Sequence, residues 1–223
     1  MPVVQTENLK KVYRDGAVVV NALNGVDISI EKEEFAAIAG PSGSGKTTLL
    51  NLIGGLDTPS GGEVLLEGRS ITKMGKGELS KLRLRNLGFI FQSYNLIPVL
   101  TARENVEFVM LLQGEDKKTR REKAEAILKE VGLGECLHRR PDELSGGQQQ
   151  RVAVARAIVS EPKIVLADEP TANLDSKTGE ELMELMQNLN EKRGMTFLFS
   201  THDRMVMDRA RRLILLKDGK VAS

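Results

Sequence analysis

The chain has 223 residues, 40% hydrophobic and 28% charged, with a net charge of +1. That length suits one large domain or two small lobes, and the near-neutral balance sets up no global field toward nucleic acid, so no nucleic-acid partner is expected. A single cysteine, Cys136, excludes an intramolecular disulfide and suits a reducing compartment.

Residues 1–10 lack a secretory signal pattern, and no run approaches the ~20 apolar residues of a membrane span. No direct membrane insertion is therefore expected, and any spanning part would come from another chain. In chain order, residues 3–9 and Val18–Ile30 are rich in β-branched residues, with turn signals at Asp15-Gly16 and Asn24-Gly25. An apolar strand, Phe35–Ala39, leads into Gly40, Pro41, Ser42, Gly43, Ser44, Gly45, Lys46, Thr47 and Thr48, followed by an apolar helix start. Short strands are expected at residues 63–66 and 87–91, the second ending at Gln92. Residues 101–112, 117–131 and 145–159 read as helices. In the second of these, Ala124, Ile127, Leu128 and Val131 share one face. The last third returns to strands at 164–167, 196–199 and 213–216 around a helix at 176–192.

Alternating strands and helices predict an α/β fold with a mostly parallel core sheet covered on both faces. We expect one domain over residues 1–223. Its core is formed by 1–92 and 161–223, with an N-terminal antiparallel β subdomain, and 93–160 form a helical subdomain.

Gly40 to Thr47 fits G-x-x-x-x-G-K-[ST], a phosphate-binding loop. Its glycines let backbone N–H groups turn inward, Lys46 adds charge for the β- and γ-phosphates, and the Thr47 hydroxyl can ligate Mg²⁺. The apolar run Ile164, Val165, Leu166 and Ala167 ends in Asp168 and Glu169. At the carboxyl edge of a parallel sheet, Asp168 would extend the Mg²⁺ shell and Glu169 would polarise a water. Leu144, Ser145, Gly146, Gly147 and Gln148 form the second motif. Ser145 is a good N-cap, and the glycines open the helix start as a second anion site.

These three segments, in this order, resemble the Walker A, signature and Walker B motifs of ATP-binding cassette (ABC) ATPases. The resemblance implies a phosphate-loop NTPase fold, ATP and Mg²⁺ as ligands, and ATP hydrolysis. Carried over residue by residue, it makes Tyr13 the aromatic that stacks on adenine and Gln92 the Q-loop residue touching Mg²⁺. Asp175 becomes the D-loop aspartate crossing to a partner subunit, and His202 the switch histidine. It further implies an ATP-dependent head-to-tail homodimer in which Ser145, Gly146 and Gly147 of one copy cap ATP on the other.

Gly54, Gly55, Leu56 and Asp57, the stretch from Gly88 to Val106, and Gly146 to Ala153 resemble the lipoprotein-releasing (LolD) and macrolide-export (MacB) group more narrowly. This implies a cytoplasmic subunit, peripheral on the inner face of the cell membrane, paired with an integral membrane permease of FtsX/MacB type. A regulatory, cell-division-type ATPase that signals without transport is the alternative. The apolar run at residues 96–100 is a candidate docking surface, with internal packing as the other reading. No Asn-Lys-x-Asp guanine motif is present, and there is no room between the Walker motifs for a long coiled coil.

Overall fold

The structure is a computed structural model that describes residues 1–16 and 18–222. In chain order its elements are β1 (Val4–Asp15), β2 (Val18–Ile30), β3 (Phe35–Ala39), α1 (Lys46–Ile53), β4 (Gly61–Leu66) and β5 (Arg69–Ser70). There follow α2 (Lys76–Asn86), β6 (Leu87–Ile90), α3 (Ala102–Gln113), α4 (Lys117–Glu130), α5 (Gly146–Ile158), β7 (Ile164–Asp168) and α6 (Ser176–Arg193). The chain closes with β8 (Phe197–Thr201), α7 (Arg204–Arg209), β9 (Arg212–Lys217) and β10 (Lys220–Val221).

Two sheets carry the fold. An antiparallel four-stranded sheet runs β2-β1-β4-β5, and a six-stranded sheet runs β10-β9-β3-β8-β7-β6. In the second, every pairing from β9 to β6 is parallel, and only β10 is antiparallel to its neighbour. The three central strands are buried on both faces, and their period of two divides the side chains between two cores. Phe35, Ala37, Val165, Ala167, Phe197 and Phe199 face one core with α3, α4, α5 and α6. Ala36, Ile38, Ile164, Leu166 and Leu198 face the other with α1 and the antiparallel sheet. Phe35 and Phe199, with ring centroids 4.7 Å apart, anchor the first core.

Helix starts follow the capping chemistry expected of their residues. Thr101 and Ser145 form capping boxes with Glu104 and Gln148, while Asp116, Asp175 and Asp203 accept from backbone N–H groups one turn on.

Asn24-Gly25 is not a turn. Leu9 pairs with Val26 and Lys10 with Asn24, so Gly25 is an extra residue bulged out of one continuous strand. It sits at φ +82, which explains the glycine. Strand β1 correspondingly runs past residue 9 to Asp15. Helix α2 was not foreseen because none of its residues is fully buried, so no apolar stripe marks it. The run at 96–100 divides between its two readings. Leu96 packs on the core, Asn105 holds the backbone of Ile97 and Leu100, and Pro98 and Val99 are exposed, Val99 at 73%.

Candidate active site

Because β3, β6, β7 and β8 are parallel, their carboxyl ends reach the same edge of the sheet. That edge gathers the phosphate loop after β3, Phe91 and Gln92 after β6, Asp168 and Glu169 at the end of β7, and Thr201 and His202 at the end of β8. A cleft of about 560 Å³ opens there. Lys46, Thr47, Gln92, Glu169 and His202 line it from the sheet edge, and Tyr13 and Thr48 line its outer wall. Its volume lies in the range of small-ligand sites.

The loop is built for anions. Gly43 and Gly45 have φ of +78 and +103. A Cβ at Gly45 would meet the Ala22 carbonyl at 2.5 Å, and one at Gly40 would overlap the Leu216 carbonyl. Helix α1 starts at Lys46 with no side-chain cap and no acid in its first turn, so its N–H groups and positive dipole end face the cleft. Lys46 is buried, and its ammonium donates to the Gly40 carbonyl at 2.8 Å and the Pro41 carbonyl at 3.1 Å. Buried Ser44 has a hydroxyl with no partner among the described residues. Exposed loop residues Pro41 and Ser42 border solvent.

Two pairs converge beside the loop. The Thr47 hydroxyl donates to Asp168 Oδ1 at 3.1 Å. Glu169 Oε1 lies 2.6 Å from His202 Nδ1, and its backbone N–H donates to the Ser200 carbonyl at 2.9 Å. Glu169 sits at φ +46, a left-handed conformation that an L-side chain adopts at a cost of roughly 1–3 kcal/mol. The carboxylate is partly shielded while His202 is open to solvent.

None of Leu144, Ser145, Gly146, Gly147 or Gln148 lines the cleft. They sit at the start of α5, where Ser145 Oγ accepts from Gln148 N–H at 3.3 Å and Gln148 Oε1 accepts from Ser145 N–H at 3.0 Å. The N–H groups of Gly146 and Gly147, in the first turn, precede any intrahelical acceptor. Both glycines also serve packing: a Cβ would press on the Tyr94 hydroxyl at Gly146 and on Thr178 Cγ2 at Gly147. Asp175 caps α6, and the hydrogen bonds from Thr178 hold its carboxyl below the usual range. Tyr13 is 42% exposed, with its hydroxyl donating to Asp57. Val20, Asn21 and Ala22 of β2 also line the cleft. The valine-rich hairpin was legible as a strand, but nothing in its pattern told which face meets a ligand.

A phosphate loop at the carboxyl edge of a parallel sheet, beside a Thr–Asp pair and a Glu–His pair, defines the phosphate-loop nucleotide hydrolases. The ABC transporter family model matches residues 23–172, so the chain belongs to the ABC transporter family and is an ATP-binding, ATP-hydrolysing domain of it. It is 47% identical to the macrolide export ATP-binding/permease protein MacB of Brucella melitensis, over 100% of this chain but only 34% of that protein. It is 45% identical to the lipoprotein-releasing system ATP-binding protein LolD of Anaeromyxobacter dehalogenans, covering 100% of this chain and 93% of that one. Among solved structures, the dimeric ATP-binding cassette MJ0796, in a post-hydrolysis state bound to ADP and Pi, superposes with a TM-score of 0.91. It shares 45% identity and covers 99% of this chain and 97% of its own.

Proposed function

We propose that this chain is the ATP-hydrolysing subunit that powers a separate FtsX/MacB-type membrane subunit for export, lipoprotein release or mechanotransmission. The observation that carries this reading is the division of anion-binding groups. One helix start, at Lys46, opens into the cleft, while the second, at Gly146, lies outside it. A head-to-tail dimer would bring Ser145, Gly146 and Gly147 of one copy onto ATP held by the other, and Asp175 would lie near the crossing. Similarity to the dimeric MJ0796 cassette supports that arrangement.

In the proposed site the N–H groups of Gly43, Ser44 and Gly45 cradle the phosphates. Lys46 exchanges its loop carbonyls for the β- and γ-phosphates. Tyr13 stacks on the base. Among the described residues no group of three or more His, Cys, Asp or Glu side chains is placed to hold a metal ion. Two hard oxygens, on Thr47 and Asp168, fit a Mg²⁺ that takes its other ligands from phosphate, water and Gln92. That ion would neutralise charge on the phosphates. Glu169 orients and deprotonates the attacking water, and His202 holds the carboxylate and donates toward the γ-phosphate.

Partner docking falls to a second, apolar groove of about 530 Å³ between α2, β6, α3 and α5. Leu56, Leu84, Phe89, Phe91 and Leu112 line it. It adjoins Gln92, so nucleotide-driven movement there would reach a docked cytoplasmic helix of the membrane subunit. No helix of the described residues is long and apolar enough to cross a membrane. The proposed pairing with a membrane subunit places the chain on the cytoplasmic face of the membrane, held there by that partner.

The test is Glu169→Gln. The variant should bind ATP as the parent does, lose hydrolysis at least ~100-fold, and run as a dimer on size exclusion with ATP. Undiminished turnover would overturn the assignment of Glu169.

A further inference from the structure

We propose that Asp57 and Lys11 are positioning residues that clamp the Tyr13 ring to the phosphate helix and so set this site's grip on the nucleobase; this rests on the base-stacking reading of Tyr13 above. Asp57 ends the Gly54–Asp57 run, just beyond α1, the helix that begins with Lys46 and Thr47. Its two oxygens face different partners. Oδ2 accepts from the Tyr13 hydroxyl at 2.8 Å, while Oδ1 accepts from Lys11 Nζ at 2.6 Å and from Thr58 N–H at 2.7 Å. Lys11 Nζ donates also to the Thr58 carbonyl at 2.7 Å, and it lies 4.8 Å from the Tyr13 ring centroid.

Each part of the clamp has a physical consequence. Lys11 and Tyr13 are two residues apart on β1 and so share a face. The ammonium covers one face of the ring, which leaves the other to a base. Lys11 is only 9% exposed, so its charge needs Asp57, and the pair in turn fixes the carboxylate for the phenol. Burial and the bond to Asp57 both push the Tyr13 pKa up, keeping the phenol a donor. Burial opposes ionisation of Asp57, but the bonds from Lys11 and Tyr13 outweigh it and hold the carboxyl below its usual range. The ring is thereby tied from the antiparallel sheet to the end of the helix whose start faces the phosphates. The span between base and triphosphate becomes a rigid distance, and a free tyrosine would lose rotamer entropy on each binding event. A phenylalanine would offer the same stacking area with no handle for Asp57.

The experiment compares the full chain's affinity for Mg²⁺-ATP with that for Mg²⁺-tripolyphosphate, which lacks base and sugar. Both are measured by titration in the Glu169→Gln background to suppress turnover. Tyr13→Ala should abolish most of the preference for ATP. Tyr13→Phe, which leaves the Lys11–Asp57 pair whole, should reduce that preference about 3–10-fold, the weight of immobilising one side chain on binding. Asp57→Asn should do the same, and the double variant should fall no further than Asp57→Asn alone. Tripolyphosphate affinity should stay within about two-fold throughout. Equal loss for both ligands would mean that Asp57 merely supports the fold, and would overturn the clamp. So would an unaltered preference in Tyr13→Phe and Asp57→Asn while Tyr13→Ala loses it. An unaltered preference in Tyr13→Ala would instead remove the stacking role on which the clamp rests. Binding of neither ligand by the parent would overturn the nucleotide site itself.

Discussion

At the scale of single residues, the two signature glycines do double duty. Their N–H groups precede any intrahelical acceptor, and their missing side chains let the start of α5 approach its neighbours. A Cβ at Gly147 would run into Thr178 Cγ2, and Thr178 is the residue whose N–H and hydroxyl both bond Asp175. The Thr178 methyl at the start of α6 therefore packs closely against the start of the signature helix. Gly147→Ala should lower stability by about 1–3 kcal/mol in urea denaturation, the usual cost of overpacking. Adding Thr178→Ser, which removes the methyl and keeps the hydroxyl, should recover most of that loss. No recovery would show that the contact is not the cause. The left-handed Glu169 makes a related point. Its conformation is held by the Ser200 carbonyl from the next strand, so the carboxylate is aimed by the sheet rather than by its own chain segment.

At the scale of elements, the segment between β6 and α3 shows how an irregular run is made firm. Fully buried Asn105 of α3 accepts from Ile97 N–H at 2.8 Å through Oδ1. Its Nδ2 donates to the carbonyls of Ile97, Leu100 and Thr101. One amide thus replaces the ladder a strand would have supplied. Asn105→Ala leaves several of these groups unpaired and should cost about 2–4 kcal/mol by denaturation. Limited proteolysis should then cut beside Val99, and an unchanged proteolysis pattern would count against the role given to Asn105. The same logic explains what pattern reading missed among the elements. Helix α2 contributes half-buried Leu79 and Leu82 to the second core, too little for a stripe. The Gly25 bulge looks locally like a turn and is a strand only because β1 pairs with both sides of it.

At the scale of the molecule, the cleft and the apolar groove are separate surfaces joined through the end of β6. Phe89 and Phe91 line the groove, their rings 5.8 Å apart and stacked, and Gln92 next to them lines the cleft. Leu112 stands 57% exposed on the groove's wall. Leu112→Glu should leave ATP turnover and ATP-dependent dimerisation of the isolated chain unchanged. If docking is as proposed, it should also reduce co-purification with the proposed membrane subunit at least ~10-fold, because a charge would be desolvated against apolar surface. Retention of the partner by this variant would place docking elsewhere.

Much of this was determined by local sequence. The phosphate loop, the acidic end of β7, the capped start of α5 and the buried central strands each depend on glycine geometry, cap chemistry or a short apolar run, all of which act within a few neighbours. From these the family resemblance followed, and the fold agrees with it. What the tertiary structure alone decided is which side chains meet. Glu169 and His202 lie 33 residues apart, Lys11 and Asp57 lie 46 apart, and no periodicity encodes such pairs. They arise because parallel strands deliver distant segments to one edge and because two sheets share α1 between them. The same placement left the signature helix outside the cleft and packed Leu96 against the core, since side-chain contacts depend on how elements pack and not on the residues that compose them.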